Sequence, residues 1–200
     1  MSKQRKHRVL AMVGVLTLGG CVAPGGVNPM ESYDLGPVAG GPVQPVPGLR
    51  EVRVESASWL ESRAIQYRLN FDHPARRQSY TAARWVAPPA ELLQRHLERR
   101  LVGEGGRCVL KIELNEWVQV FASPQQTAAT IVIRARLLSL RGEILATRHF
   151  DLTSNAVPPN SRGAVAGAGE AVRMAERSVG AWLAGETELA QSCRRHPLPG

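Results

Sequence analysis

Hydrophobic and polar residues alternate in several separate stretches of the chain. Val52 and Val54 alternate with Arg53 and Glu55, and Ile65, Tyr67 and Leu69 alternate with Gln66, Arg68 and Asn70. A period of two predicts strands with one face buried. Leu110, Ile112, Leu114, Val118 and Val120 form the apolar row of a longer strand, with Lys111, Glu113, Asn115 and Gln119 on its polar row. Ala129, Ile131, Ile133, Ala135 and Leu137 predict the next strand, with Arg134 and Arg136 outward. Arg141-Gly142 predicts a turn, and Ile144, Ala146, Phe150 and Leu152 predict the returning strand. Two stretches follow the helical period instead. Pro88 and Pro89 suit a first helical turn and Glu91 suits its positive end. Leu93, Leu97 and Leu101 then recur every four residues, until Gly103, Gly105 and Gly106 end the helix. Val165, Ala168, Val172, Ala175, Val179 and Trp182 predict a second amphipathic helix with a narrow face of small residues. The order is strands, helix, three strands, helix, with hairpin-length links between the later strands. This predicts an α+β two-layer domain, a mixed and largely antiparallel sheet with both helices on one face.

The N-terminal part has a different texture. Lys3, Arg5, Lys6 and Arg8 precede an uncharged, mostly apolar run over Val9 to Leu18, which leads into Gly19-Gly20-Cys21. That is the layout of a secretory signal. A run of about ten residues is too short to span a bilayer as a helix, which takes roughly 20. An aliphatic residue and two glycines before a cysteine form a lipoprotein box, whose thiol is the nucleophile that takes the diacylglycerol. Cleavage before Cys21, lipidation of Cys21 and attachment to a membrane facing the periplasm are therefore expected. Val22 follows the cysteine, where aspartate would retain an enteric lipoprotein in the inner membrane. The outer membrane is thus the expected site. Residues 22–48 are rich in Gly and Pro and read as a tether with little structure of its own, apart from a short edge strand within Glu31 to Gly36. The expected divisions are a signal peptide over 1–20, a lipidated tether over 21–48, the α+β domain over 49–192 and a tail over 193–200.

Composition narrows the function. Removing the signal leaves 21 basic against 17 acidic residues, and Lys111 as the one remaining lysine. The arginines are dispersed, whereas a nucleic-acid surface needs a basic stripe. Cys108 and Cys193 stand 85 positions apart in an oxidising compartment, and read either as a bridge or as two thiols. The histidines, His7, His73, His96, His149 and His196, show no metal-ligand spacing, and no nucleophile elbow, Walker loop or dinucleotide fingerprint occurs. Asp72-His73-Pro74 reads as a turn. Glu113 falls on the polar face of its strand and reads as solvated. Glu116 falls on the apolar parity, which marks a bulge or strand edge. Arg95 and the pairs Arg76-Arg77 and Arg99-Arg100 read as surface charge. Trp182 fits the core face of its helix. Trp117 falls on the outward face beside Phe121, either for a partner or, as the favoured reading, under a loop. No catalytic residue, metal or cofactor is expected.

Several pieces occur in order along almost the whole mature chain. They are Tyr33-Asp-Leu-Gly36, Trp59-Leu60, Ile65-Gln-Tyr67-Arg68-Leu69, Tyr80, and Arg84-Trp85-Val-Ala-Pro88-Pro89-Ala-Glu-Leu92-Leu93. Gln119-Val120-Phe121, Ser123-Pro124, Arg134-Ala135, Leu138, Arg148, Phe150 and an Ala-rich helix ending at Trp182 complete them. With these pieces the chain resembles the ABC-type transport auxiliary lipoprotein family, which includes paraquat-inducible protein C. The two cysteines Cys108 and Cys193 lie outside that pattern. The resemblance implies a non-enzymatic lipoprotein that docks the periplasmic MCE-domain protein of an ABC transporter moving lipids or other hydrophobic molecules between two membranes. It also implies a homo-oligomeric ring as a possible assembly. In that role the turn with Arg84, Trp85, Pro88 and Pro89 and the loop with Phe121 and Pro124 are the first places to look for contacts, because loops on a rigid scaffold carry function. The plainer reading, favoured here, is that Trp85 and the prolines fix the start of the helix. A Gly/Pro tether on a small α+β domain would also suit an envelope-assembly regulator.

Overall fold

A computed structural model describes residues 29–37, 44–103, 106–185 and Cys193. Cys21 and the expected signal peptide lie outside the described residues. The elements run β1 (Glu31–Tyr33), β2 (Gln44–Val46), β3 (Leu49–Ser56), a 3-10 turn (Ser58–Leu60), β4 (Ala64–Leu69), β5 (Gln78–Trp85) and α1 (Pro89–Arg100). They continue with β6 (Leu101–Gly103), β7 (Cys108–Phe121), β8 (Thr127–Ser139), β9 (Ile144–Thr153) and α2 (Ser161–Gly185). Seven strands form one sheet in the order β1-β5-β4-β7-β8-β9, with β3 also paired to β7, while β2 pairs with β6 apart from it. The β7–β8, β8–β9 and β4–β5 pairings are antiparallel, and β3 and β4 both run parallel to β7. The architecture is the α+β layering that the order of patterns predicts.

β3 and β4 share one edge of β7 end to end. β3 pairs with Cys108 to Leu114, and β4 pairs with Gln119 to Phe121. The 3-10 turn steps between them, and the Ala57 N–H donates to the Leu114 carbonyl at 3.1 Å.

One core joins both helices to the sheet. Leu93 and Leu97 of α1 and Val172 and Val179 of α2 are fully buried, as are Leu110, Ile112, Leu114, Ile131 and Ile133 of the long strands. Each such side chain contributes about 1.5–3 kcal/mol by leaving water. The small face of α2 allows close approach. A Cβ on Gly167 would sit 2.8 Å from that of Ala129, and one on Gly163 would collide with the Pro158 carbonyl. Among the described residues no helix is long and apolar enough to cross a membrane.

The structure departs from the sequence reading in five places. The stretch 22–48 is not a plain tether, because β1 pairs with β5 and β2 with β6. Tyr33 and Leu35 pack against the core. The short edge strand expected within Glu31 to Gly36 is β1. Strand β5 carries no clean alternation, since its burial is irregular and its register with β4 slips between Ala64 and Gln66. Leu101 does not belong to α1. It is the extended residue that caps the helix and opens β6, and it stays buried. Trp117 and Phe121 face the core rather than outward, whereas Val118 and Val120 leave the row of Leu114. A bulge between Leu114 and Glu116 shifts the register by one residue and exchanges the two faces beyond it. Ile144, expected on the buried face, is 57% exposed because a similar slip pairs it with Leu138 while Ala146 pairs with Leu137.

The sheet therefore has two ends. β7 is 14 residues long, about 45 Å at roughly 3.3 Å per residue. The Phe121 end carries the β7–β8 turn, the loop after β9 and the first turn of α2. The Cys108 end carries β2, β6, the β8–β9 hairpin tip and Cys193.

Candidate functional site

The bulge is the most elaborately built polar feature among the described residues. Glu116 accepts from Arg68 Nη2 at 3.0 Å and from Arg77 Nη2 at 2.6 Å, and its Oε1 accepts from the Trp117 N–H at 3.2 Å. Arg77 also donates to Gln66 Oε1 at 2.6 Å, and Gln66 Nε2 donates to the Trp59 carbonyl at 2.9 Å. Arg77 is therefore not a free surface charge. It ties the start of β5 to the bulge in β7. The carboxylate is engaged on both oxygens, so Glu116 holds the register at the bulge.

Next to the bulge the aromatic rings meet. Trp85 and Trp117 stand edge to face with centroids 5.7 Å apart. Tyr67 lies 4.9 Å from Tyr80 and 5.7 Å from Phe121. The Tyr80 hydroxyl donates to Gln119 Oε1 at 2.6 Å, and Gln119 Nε2 reaches the Pro158 carbonyl at 2.9 Å. Burial pushes the Tyr80 phenol up to about 12, with Tyr67 adding to the effect. Gln119, which the alternation puts on a solvated face, is thus a buried link between β5, β7 and the start of α2. The void between these residues and α2 holds only about 10 Å³, enough for one water.

A buried carboxylate joins the helices. Glu176 of α2 lies 3.3 Å from His96 Nδ1 and accepts from Arg100 Nε at 3.2 Å, both on α1. Here too Arg100 is a structural cation rather than loose surface charge. Glu176→Ala would take the carboxylate from both half-buried partners. It is expected to cost about 2 to 3 kcal/mol in urea unfolding, less than a fully buried pair because the partners keep some contact with water.

Glu113 sits on the outward face as expected, but it is half-buried and held by Arg134 and Arg136 rather than simply solvated. Arg95 pairs with Glu91 on the surface. Asp72 and His73 form a turn, their N–H groups donating to the Leu69 carbonyl at 3.1 and 3.0 Å. Among the described residues no group of three His, Cys, Asp or Glu could hold a metal ion. Cys108 and Cys193 are joined, with Cα atoms 5.4 Å apart.

The proposed contact residues separate into two groups. Trp85, Pro89 and Phe121 are buried, so their side chains build the core and do not face a partner. Their turn and loop look exposed in sequence, but the bulge and the β1–β5 pairing draw them inward. Arg84 and Pro88 are half-buried and Pro124 is exposed. Arg84 Nε donates to Ser32 Oγ at 3.2 Å, which holds β1. The two sets do not converge on one site. What the alternation hid is a surface at the Cys108 end, where Val102, Leu140 and Ile144 stay exposed. The turn signal at Arg141-Gly142 is its one sequence cue.

No family model matches the chain. No curated protein matches it either. Solved structures share its fold. A Xanthomonas campestris protein described as a DUF330 member superposes with a TM-score of 0.61 and 20% identity, over 84% of this chain and 94% of the other. A second, described only as an uncharacterized protein, gives a TM-score of 0.59 at 12% identity, over 78% of this chain and 99% of the other. Both likenesses are of fold.

Proposed function

We propose that the chain is a non-enzymatic lipoprotein, anchored through Cys21 to the periplasmic face of the outer membrane. In this reading it docks the MCE-domain protein of an ABC-type intermembrane lipid transport system. The observation that carries the reading is the short link between anchor and domain. Nine residues separate Cys21 from Glu31, where the sheet already begins. Fully extended, that stretch spans about 35 Å. A domain so held stays at the membrane surface, as a docking module must. The engagement of Glu113, Glu116 and Glu176 by neighbouring arginines supports a non-catalytic role. The partner comes from the family resemblance.

Cys21→Ala is expected to move the protein from the outer-membrane fraction of a sucrose gradient to the soluble periplasm, with the domain still folded. The transport phenotype should be lost. Full complementation of a deletion by the soluble variant would defeat the role of the anchor. Failure to capture any MCE protein after cross-linking in the native host would defeat the docking role.

A further inference from the structure

Among the described residues, the Cys108 end of the sheet carries an amphipathic surface that nothing covers. Leu140 is 51% exposed at the β8–β9 hairpin tip, with Ile144 beside it and Val102 exposed on β6. Two open grooves flank Arg50. One, about 250 Å³, runs between β3 and β6 past Leu101 and Val102, and the other, about 240 Å³, runs between β3 and the hairpin past Val109 and Leu140. Arg50 and Arg141 are exposed and Arg107 is half-buried, and none of the three guanidinium groups is in an ion pair among the described residues. The nearby acids are Glu51, paired with Arg53, Glu98, which lines the first groove and accepts from Gln94, and Glu143, which accepts from the Ser139 hydroxyl. Apolar tips beside unpaired cations, with grooves between them, mark an interaction surface.

The path of the chain says which way this surface faces. β1 pairs with Ala83 to Trp85, and the adjacent Arg84 pairs with Ala64. Ala64 lies three positions before Tyr67, the partner of Gln119. The chain thus leaves the sheet toward Cys21 near the level of Trp117. That level is about 13 Å from the Phe121 end and about 30 Å from the Cys108 end at roughly 3.3 Å per residue. Glu31 also bonds Arg162 in the first turn of α2, at the Phe121 end, at 3.2 Å. A link of about 35 Å overreaches the Phe121 end by roughly 22 Å and the Cys108 end by only about 5 Å, so the Phe121 end is the one with room to face the membrane and the Cys108 end the one that points away from it.

We propose that the Cys108 end, with Arg50, Val102, Leu140, Arg141 and Ile144, is the docking surface for the protein partner. It fits a segment that offers aliphatic side chains to the grooves and carboxylates to the arginines. The inference rests on the docking function above and assigns its surface.

The test uses the full-length, membrane-borne protein with the MCE protein co-expressed. A photoreactive benzoylphenylalanine is placed at Leu140, at Val102 or, for comparison, at Pro124 on the opposite end. Adducts to the MCE protein from positions 140 and 102 and none from 124 are expected. Adducts from 124 alone overturn the assignment but leave docking intact. Adducts from 140 and 102 only to phospholipid or to a second copy of the chain also overturn it. No MCE adduct from any position, together with no co-purification, overturns the docking function itself. With purified MCE protein, the charge reversals Arg50→Glu and Arg141→Glu together should weaken binding at least fivefold at an unchanged melting midpoint. A smaller loss counts against the surface.

Discussion

The double variant Cys108→Ser, Cys193→Ser is expected to melt roughly 10 to 20 °C below the parent chain. The bond closes a loop with a sequence separation of 85. In the chain-entropy account a loop of that length constrains the unfolded state by about 4 to 5 kcal/mol. For a domain of this size each kcal/mol moves the midpoint by roughly 2 to 4 °C. The folded geometry around the bond is ready-made for it. The Cys108 N–H donates to the Gly48 carbonyl at 3.0 Å. Gly48 has a φ of +87°, and a Cβ there would collide with Cys193, so Cys193 fits only against a glycine at this position. The parent chain in reductant should melt with the variant. A fall of less than about 3 °C would mean that the tail already constrains little in the unfolded chain.

Trp85→Ala is expected to destabilise the domain by about 3 to 5 kcal/mol, the usual cost of emptying a large aromatic site in a core. Trp85 is 1% exposed, stacks edge to face on Trp117, and borders a void that already holds no more than a water. Urea unfolding measures the cost. Val86→Asp next to it is the control. Val86 is 47% exposed, so its change should stay within about 0.5 kcal/mol. If Trp85→Ala lost partner binding while keeping full stability, the inward placement of the ring would be refuted.

The sequence foretold the layers because its longest strands and both helices keep a regular period. Ile131, Ile133 and Ala135 on one row, and Val172, Ala175 and Val179 on one helical face, are buried as their spacing demands. The misreadings along β7 share one physical cause. One extra residue in a strand reverses its faces, and nothing local in Leu114-Asn115-Glu116-Trp117 announces it except a glutamate on the wrong parity. The same bulge explains why Trp117 and Gln119 read as outward and prove buried. Strand β5 was illegible because its alternation yields to a slipped register and to long-range partners: Gln119 for Tyr80, Glu116 for Arg77. The surface at the Cys108 end was equally hidden, since Val102 on β6 and Leu140 and Ile144 on the β8–β9 hairpin come from two separate segments and only the topology gathers them.

Strand β1 also decides how the protein bears load. Its three residues are held by β5, by the Arg84–Ser32 bond and by the Glu31–Arg162 pair, with the Val86 N–H donating to the Tyr33 carbonyl at 2.8 Å. The Tyr33 hydroxyl and then Arg162 hold the Glu31 carboxyl below its ordinary value, so that pair stays charged in mildly acidic surroundings. With the proposed lipid on Cys21, tension as the envelope moves would run along β1 and shear these bonds together rather than peel them singly. It would arrive opposite Trp85, the most deeply packed ring of the core. On the proposed anchor, the first element to yield to such a pull would be the three-residue strand β1, before the core behind Trp85.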